Sequence, residues 1–480
     1  MSVFSDKRVL VIGLDGASPL VLSFMKQRGM LRSGLRHLME SGVYKVLIST
    51  IPPLSAPAWA TAFSGLTPGE HGIYDFVVRT RAGARFHNSS SLRGKMVWDI
   101  LSRKGVKSIL VNVPLTYPPY KINGIMVSGF PSPENRLCAF PRTVQFILRR
   151  RFKRYAIDIS FINPNYTGIR LETFFKEIVD LTKSRLELAR FLMSNYDWNL
   201  FILVFTELDR LQHVLWGYFE DYLLNGVKTD IHLKFARLLL NYYRWLDEIV
   251  GELMSLAGSE AYVIVFSDHG FERLEGWFSV YEIARTAILG KKSVETKAFD
   301  SILSNFFRTF FESLKKYKLG SLLGGLYYRL PVEFQSKILP GCLAEAHTGG
   351  LRLEEIEVNL MRKEEIAIKL SRFVKMFGLP IERILIGKNV YKGRFSDYAP
   401  DILIIPNKGW KPVKYLKGKL YEKFHLTYHI MTETGIHQSN FARKGVFLTK
   451  GLNMKTISLN SFILPIDKIT KIILKILNYE

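Results

Sequence analysis

Six residues of this chain have side chains that hold divalent metals, at positions a fold could gather. Asp15 lies in GLDG, where glycines let the backbone turn sharply beside an exposed carboxylate. Asp209 and His213, in TELDRLQH, are four apart, so one helical turn puts both on one face. Asp268 and His269 form the SDHG pair that ends an apolar run, and His437 lies far down the chain in TGIHQSN. Three carboxylates and three imidazoles can share two divalent metal ions. This mixed O/N set suits Zn²⁺, with Mn²⁺ or Fe as alternatives. A lone Asp-His pair is common by chance; the combination at strand ends is what carries weight.

Ser55 is the candidate nucleophile. PPLSAPAWATAFSG reads as a loop entering a helix, with Ser55 near the N-cap and Pro57 in the first turn. At that position the helix dipole and free N–H groups favour both an alkoxide and a bound phosphate. The plainer alternative is a hydroxyl that only caps the helix. Beside a metal cluster, the nucleophile is the stronger reading.

The elements that must position these residues recur through the first half of the chain. Short apolar runs, Arg8-VLVIGL, Val43-YKVLIST, Lys107-SILVNV, Asn199-LFILVFTEL and Tyr262-VIVFSDH, alternate with helix-period stretches. That pattern predicts α/β architecture, a mostly parallel central sheet sandwiched by helices. In such sheets the chemistry gathers beyond the carboxyl ends of the strands. From 289 to 345 the pattern lapses into a Phe-rich helical, basic stretch ending in Lys315, Lys316 and Lys318, expected as an inserted cap. Strand-like runs resume at Gly350, Arg383, Asp401 and Gly445, and the chain closes on an amphipathic helix, Ile469-TKIILKIL. The expected division is a catalytic core at 1–288 and 346–480 with the cap between.

At 480 residues the chain is long enough for about three domains or one large core with insertions. A hydrophobic content of 48% excludes disorder as a whole-chain description. The 67 Lys+Arg against 43 Asp+Glu give a formal net charge of +24, which argues for an anionic partner. Two cysteines, Cys138 and Cys342, exclude a disulfide framework. No apolar run reaches the ~20 residues of a membrane span, and the N-terminus lacks a signal peptide's order of regions. A cytoplasmic location is the expectation. The basic run Arg149 to Arg154 reads first as a solvated helix face, then as anion attraction at a cleft rim. No nucleic-acid motif is present, so specific nucleic-acid binding is not expected. Peripheral contact with an anionic membrane stays open.

GLDG, PPLSAPAWATAFSGLTPGEHGIYDF, TELDRLQH, SDHG and GIH occur in the order found in the alkaline phosphatase superfamily. The chain most resembles that superfamily's type I phosphodiesterase/nucleotide pyrophosphatase branch, in its archaeal and bacterial members. The likeness covers about 8 to 290 and returns around 346 to 450. It implies one metal held by Asp209, His213 and His437, and another by Asp15, Asp268, His269 and the Ser55 oxygen. It also implies a two-step in-line displacement through a phosphoseryl intermediate on Ser55. The expected substrate is a small phosphoester, nucleotides included. A phosphotransferase or phosphomutase on the same two-metal core is the alternative within enzymes. A non-catalytic basic protein bound to membrane or polyanion is the alternative outside them.

Overall fold

The computed structural model describes residues 7–479 apart from 81–82, 133–134, 160–170, 228, 291–349, 352–361, 414–415, 417–418, 424–432 and 453–460. All but the first two positions of the expected cap lie outside the described residues.

Nine strands build the central sheet: β1 (Val9–Leu14), β2 (Val43–Ile48), β3 (Ser108–Val113), β4 (Gly124–Ser128), β5 (Ala139–Phe140), β6 (Leu200–Phe205), β7 (Tyr262–Phe266), β8 (Lys444–Lys450) and β9 (Ile463–Pro465). Their order is β9-β2-β8-β7-β1-β6-β3-β4-β5. β1 pairs in parallel with both β6 and β7, and β3 in parallel with β6 and β4. Two strands run against the rest: β8, wedged between β7 and β2, and the short edge strand β5. The parallel centre is the sheet its apolar runs predict, because every residue of β1 and of β6 is buried and each face needs a cover.

Helices supply those covers. On one face, Asp230–Ala257 and Leu171–Asn195 enclose Leu10, Ile12, Phe201 and Leu203; on the other, Ser55–Ser64 and the closing helix Lys468–Ile476 pack over Val9, Val11, Ile202 and Val204. Ser55–Ser64 forms because four alanines favour the helix, Pro57 sits harmlessly in its first turn, and Gly65 stops it in the left-handed region (φ 70°). Runs after 350 do not all join the central sheet. Gly350–Leu351, Ile402–Pro406 and Ile381–Ile386 make a separate three-stranded sheet over their own apolar cluster. Among the described residues no helix is long and apolar enough to cross a membrane.

One buried ion pair anchors the helix that carries Asp209. Arg185, fully buried, pairs with Glu207 in that helix's first turn and also donates to Thr206 Oγ1 at 3.0 Å. Neither Glu207 oxygen has a hydrogen-bond partner besides this counter-charge. Arg185→Met therefore strands a buried carboxylate, and a loss of about 3–5 kcal/mol is expected in urea unfolding. An unchanged midpoint would show that Glu207 is protonated and that the pair contributes little.

Candidate active site

The sequence-predicted residues arrive together at the carboxyl ends of neighbouring parallel strands. Asp15 follows β1, Asp268 and His269 follow β7, and Asp209 and His213 lie on the helix Glu207–Leu223 that leaves β6. Ser55 opens the helix after β2. His437 comes in from a two-residue strand, Gly435–Ile436, which pairs with Glu272–Arg273 just past the β7 end. Gly16 makes the turn possible: its φ of +72° is left-handed, and a Cβ there would sit 2.7 Å from the Phe271 ring and 2.9 Å from Gln212 Nε2.

Two local expectations change. Asp15 is only 3% exposed, because Trp59 and the β7 loop close over it, rather than standing in the open. Ser55 does not cap its helix either. Leu54 holds the N-cap position, no side chain caps there, and the Ser55 hydroxyl lies 3.2 Å from His269 Nε2 instead.

The three imidazoles share one arrangement. His213 Nδ1 lies 2.9 Å from the Gly435 carbonyl, His269 Nδ1 3.0 Å from that of Gly270, and His437 Nδ1 2.9 Å from that of Pro53. A carbonyl can only accept, so each Nδ1 carries the proton and each Nε2 presents a lone pair. Those Nε2 atoms face the carboxylates. His269 Nε2 is 3.3 Å from Asp268 Oδ2 and 3.5 Å from Asp15 Oδ1; His213 and His437 Nε2 lie 3.5 and 3.7 Å from Asp209 Oδ1. The His269 and His437 rings stack at 3.8 Å, 11° from parallel.

The residues fit divalent cations. Asp15 Oδ1, Asp209 Oδ1 and Asp268 Oδ2 are buried and accept no hydrogen bond, a costly state for carboxylate oxygens that a cation relieves. Potential ligand atoms of Asp209, His269 and His437 lie within 4.8 Å of one another, as do those of Asp15, Asp268 and His269. His269 thus stands in both groups, and His213 stands in neither while still facing Asp209. Burial, then the charges of Asp268 and Asp209, hold the Asp15 carboxyl well above the usual range; burial likewise raises Asp268. Burial and the neighbouring His269 and His213 keep His437 well below an ordinary histidine, so it stays a neutral donor.

Supporting residues carried no sequence signal of their own or lay unnoticed inside a motif. Trp59, one turn after Ser55, donates to Asp15 Oδ2 at 3.2 Å. Gln212, adjacent to His213, donates to the Gly16 carbonyl at 2.9 Å and accepts from Tyr243. Arg210 binds Asp158 at 2.7 Å and reaches Asp209 Oδ2 at 3.2 Å. Glu433 Oε1 lies 3.2 Å from His213 Nδ1 and is held by Lys411 at 2.7 and 2.8 Å. Burial lowers His213, but Asp209 and Glu433 outweigh it and leave the ring more basic than usual. A carboxylate behind a ligating histidine fixes the ring and strengthens its lone pair. Glu433→Gln should weaken metal binding by about 10–100-fold. Calorimetric titration reads the change, and wild-type affinity would remove Glu433 from the centre.

His71, buried, bonds Thr61 Oγ1 at 3.0 Å and accepts the Ile73 N–H, which makes it a loop-structuring residue.

A helix-flanked, largely parallel sheet with this cluster at its carboxyl edge is an alkaline-phosphatase-like α/β fold. The sequence pattern of the type I phosphodiesterase/nucleotide pyrophosphatase family matches residues 9–436, and the chain belongs to that family. It is by that membership a metal-dependent phosphoester hydrolase. Phosphonoacetate hydrolase from Sinorhizobium meliloti, in complex with phosphonoformate, is similar in fold (TM-score 0.59, 13% identity, 99% of this chain and 96% of that one covered). Murine ectonucleotide pyrophosphatase/phosphodiesterase 5, an inactive variant in complex with AMP, is also similar (TM-score 0.52, 12% identity, 98% and 95% covered). No curated protein matches the chain.

Proposed function

We propose that the chain is a phosphodiesterase or pyrophosphatase in which Ser55 is the nucleophile. Asp209, His213 and His437 would hold one divalent ion, and Asp15, Asp268, His269 and the Ser55 oxygen the other. The carrying observation is the common set of three histidines, each with Nδ1 bound to a carbonyl and Nε2 turned onto buried, unpartnered carboxylate oxygens. Zn²⁺ or Mn²⁺, when bound, would supply positive charge that lowers the Ser55 hydroxyl pKa and neutralises charge developing on the phosphoryl and leaving oxygens.

The protein's own groups do the rest. Helix Ser55–Ser64 aims its N-terminal dipole at the site, which favours an alkoxide at Ser55 and a phosphoryl group beside it. Oγ gives up its proton and attacks phosphorus in line, the bond to the leaving oxygen breaks as that oxygen takes up a proton, and the phosphoryl group rests on Ser55. Water then cleaves the Oγ–P bond and restores the hydroxyl. Trp59 keeps Asp15 from rotating, and the stacked His269 and His437 rings fix each other's planes. Phosphonoformate and AMP in the similar structures support a small phosphate- or phosphonate-bearing substrate.

A panel of nitrophenyl phosphodiester, phosphomonoester, nucleotide pyrophosphate and phosphonate, run with Zn²⁺ and with Mn²⁺, tests the reading. Metal-dependent turnover of the diester or pyrophosphate is expected. Protein that carries its metals and turns over none of the four would overturn it.

A further inference from the structure

The helix Arg142–Arg151 presents an outer face that no fold requirement explains. Its inner face, Val144 and Leu148, is buried in the main core. Its position is fixed, because Arg149 donates to the Leu137 carbonyl at 2.7 Å and to Cys138 Sγ at 3.3 Å. Outside, Phe146 is 65% exposed and its neighbour Ile147 46% exposed. Adjacent large apolar side chains in water at the centre of a short helix gain nothing from the fold.

The chain around them is basic. Between 135 and 157 the chain has seven Arg and Lys residues and no Asp or Glu. Arg142, Arg150, Arg151, Lys153 and Arg154 are all exposed, and the Arg150 guanidinium lies 5.9 Å from the Phe146 ring. Glu177, Asp180 and Glu187 share a cavity of about 650 Å³ with the C-terminal end of this stretch and balance part of its charge. The surface remains positive. The helix Lys363–Phe377 also exposes Ile368, Met376 and Phe377 and is itself basic, but Glu364 and Glu365 lie within it, whereas no acidic residue lies within Arg142–Arg151.

We propose that this face docks on an anionic lipid bilayer. Phe146 and Ile147 would enter the acyl boundary, and the surrounding arginines and lysine would pair with acidic headgroups while their stems lie along the interface. A nucleic acid suits the face less well, because Ile147 offers nothing to a base or a phosphate, whereas it partitions into hydrocarbon.

Vesicle flotation with the full chain tests the surface. Phosphatidylcholine vesicles containing phosphatidylglycerol should bind it at least about tenfold more tightly than pure phosphatidylcholine, with binding weakened by added salt. Phe146→Ser with Ile147→Ser, and separately Arg150→Gln with Lys153→Gln, should each lower that binding about tenfold. Both variants should keep wild-type thermal midpoints and turnover of a soluble nitrophenyl diester, because all four side chains point into solvent. Equal binding to neutral vesicles, or wild-type binding by both variants, overturns the proposal. So does loss confined to the Arg150/Lys153 variant, or single-stranded DNA binding that matches the vesicles and ignores Phe146 and Ile147; either marks a general polyanion surface.

Discussion

Ser55→Ala should lower kcat by about 10³-fold or more while the fold and the metal held by Asp209, His213 and His437 stay in place. The reason is local. A serine that capped its helix would cost roughly 1 kcal/mol of stability on truncation and leave chemistry largely alone. Ser55 does no capping: its oxygen faces His269 Nε2 at 3.2 Å, so the substitution removes the attacking atom and one ligand of the second ion rather than a helix cap. Turnover, metal analysis and a melting curve on one preparation separate the two roles. Near-wild-type turnover would sink the nucleophile assignment, and a large drop in melting temperature with activity retained would restore the cap.

Exhaustive chelation should abolish turnover and lower thermal stability, and the stability loss should grow with pH. Burial and mutual repulsion raise the Asp15 carboxyl well above its usual value and raise Asp268. Folded, these groups hold protons more tightly than unfolded. The stability they contribute in the metal-free state is complete below about pH 4, the unfolded value, and is lost as pH rises through the folded values. Bound cations replace those protons, so metal affinity rises over the same range. A site filled to about 1,000 times its Kd adds about 4 kcal/mol. Melting temperatures of loaded and chelated protein should therefore diverge as pH rises above about 4. A constant difference, or activity that survives chelation and is not restored by Zn²⁺ or Mn²⁺, would count against the centre.

The centre was legible because its residues sit at strand ends and in short motifs. Asp15, Ser55, Asp209, His213, Asp268, His269 and His437 all arrive at one place, although 422 positions separate the first from the last. Strand direction was not legible in the same way. Gly445-VFL is buried on both faces, and such a run reads identically whether it lies parallel or, as β8 does, antiparallel between β7 and β2. The runs at Gly350, Arg383 and Asp401 have the same apolar character as core strands, yet build a sheet of their own. Supporting contacts left no trace either, since Lys411, on the short strand Trp410–Val413, and Glu433 lie 22 residues apart and meet only through tertiary structure. The N-cap itself falls on Leu54, next to Ser55, a distinction that hinges on a single residue's dihedral angles.

The most direct measurement is to locate the phosphoryl group in mid-reaction. Acid quench of the metal-loaded enzyme during turnover of a nitrophenyl diester, followed by peptide mass spectrometry, should find one substrate-derived phosphoryl group on the peptide holding Ser55, and none in Ser55→Ala. Phosphorylation at another residue, or full turnover by wild type with no covalent species at any quench time, would contradict a mechanism through Ser55.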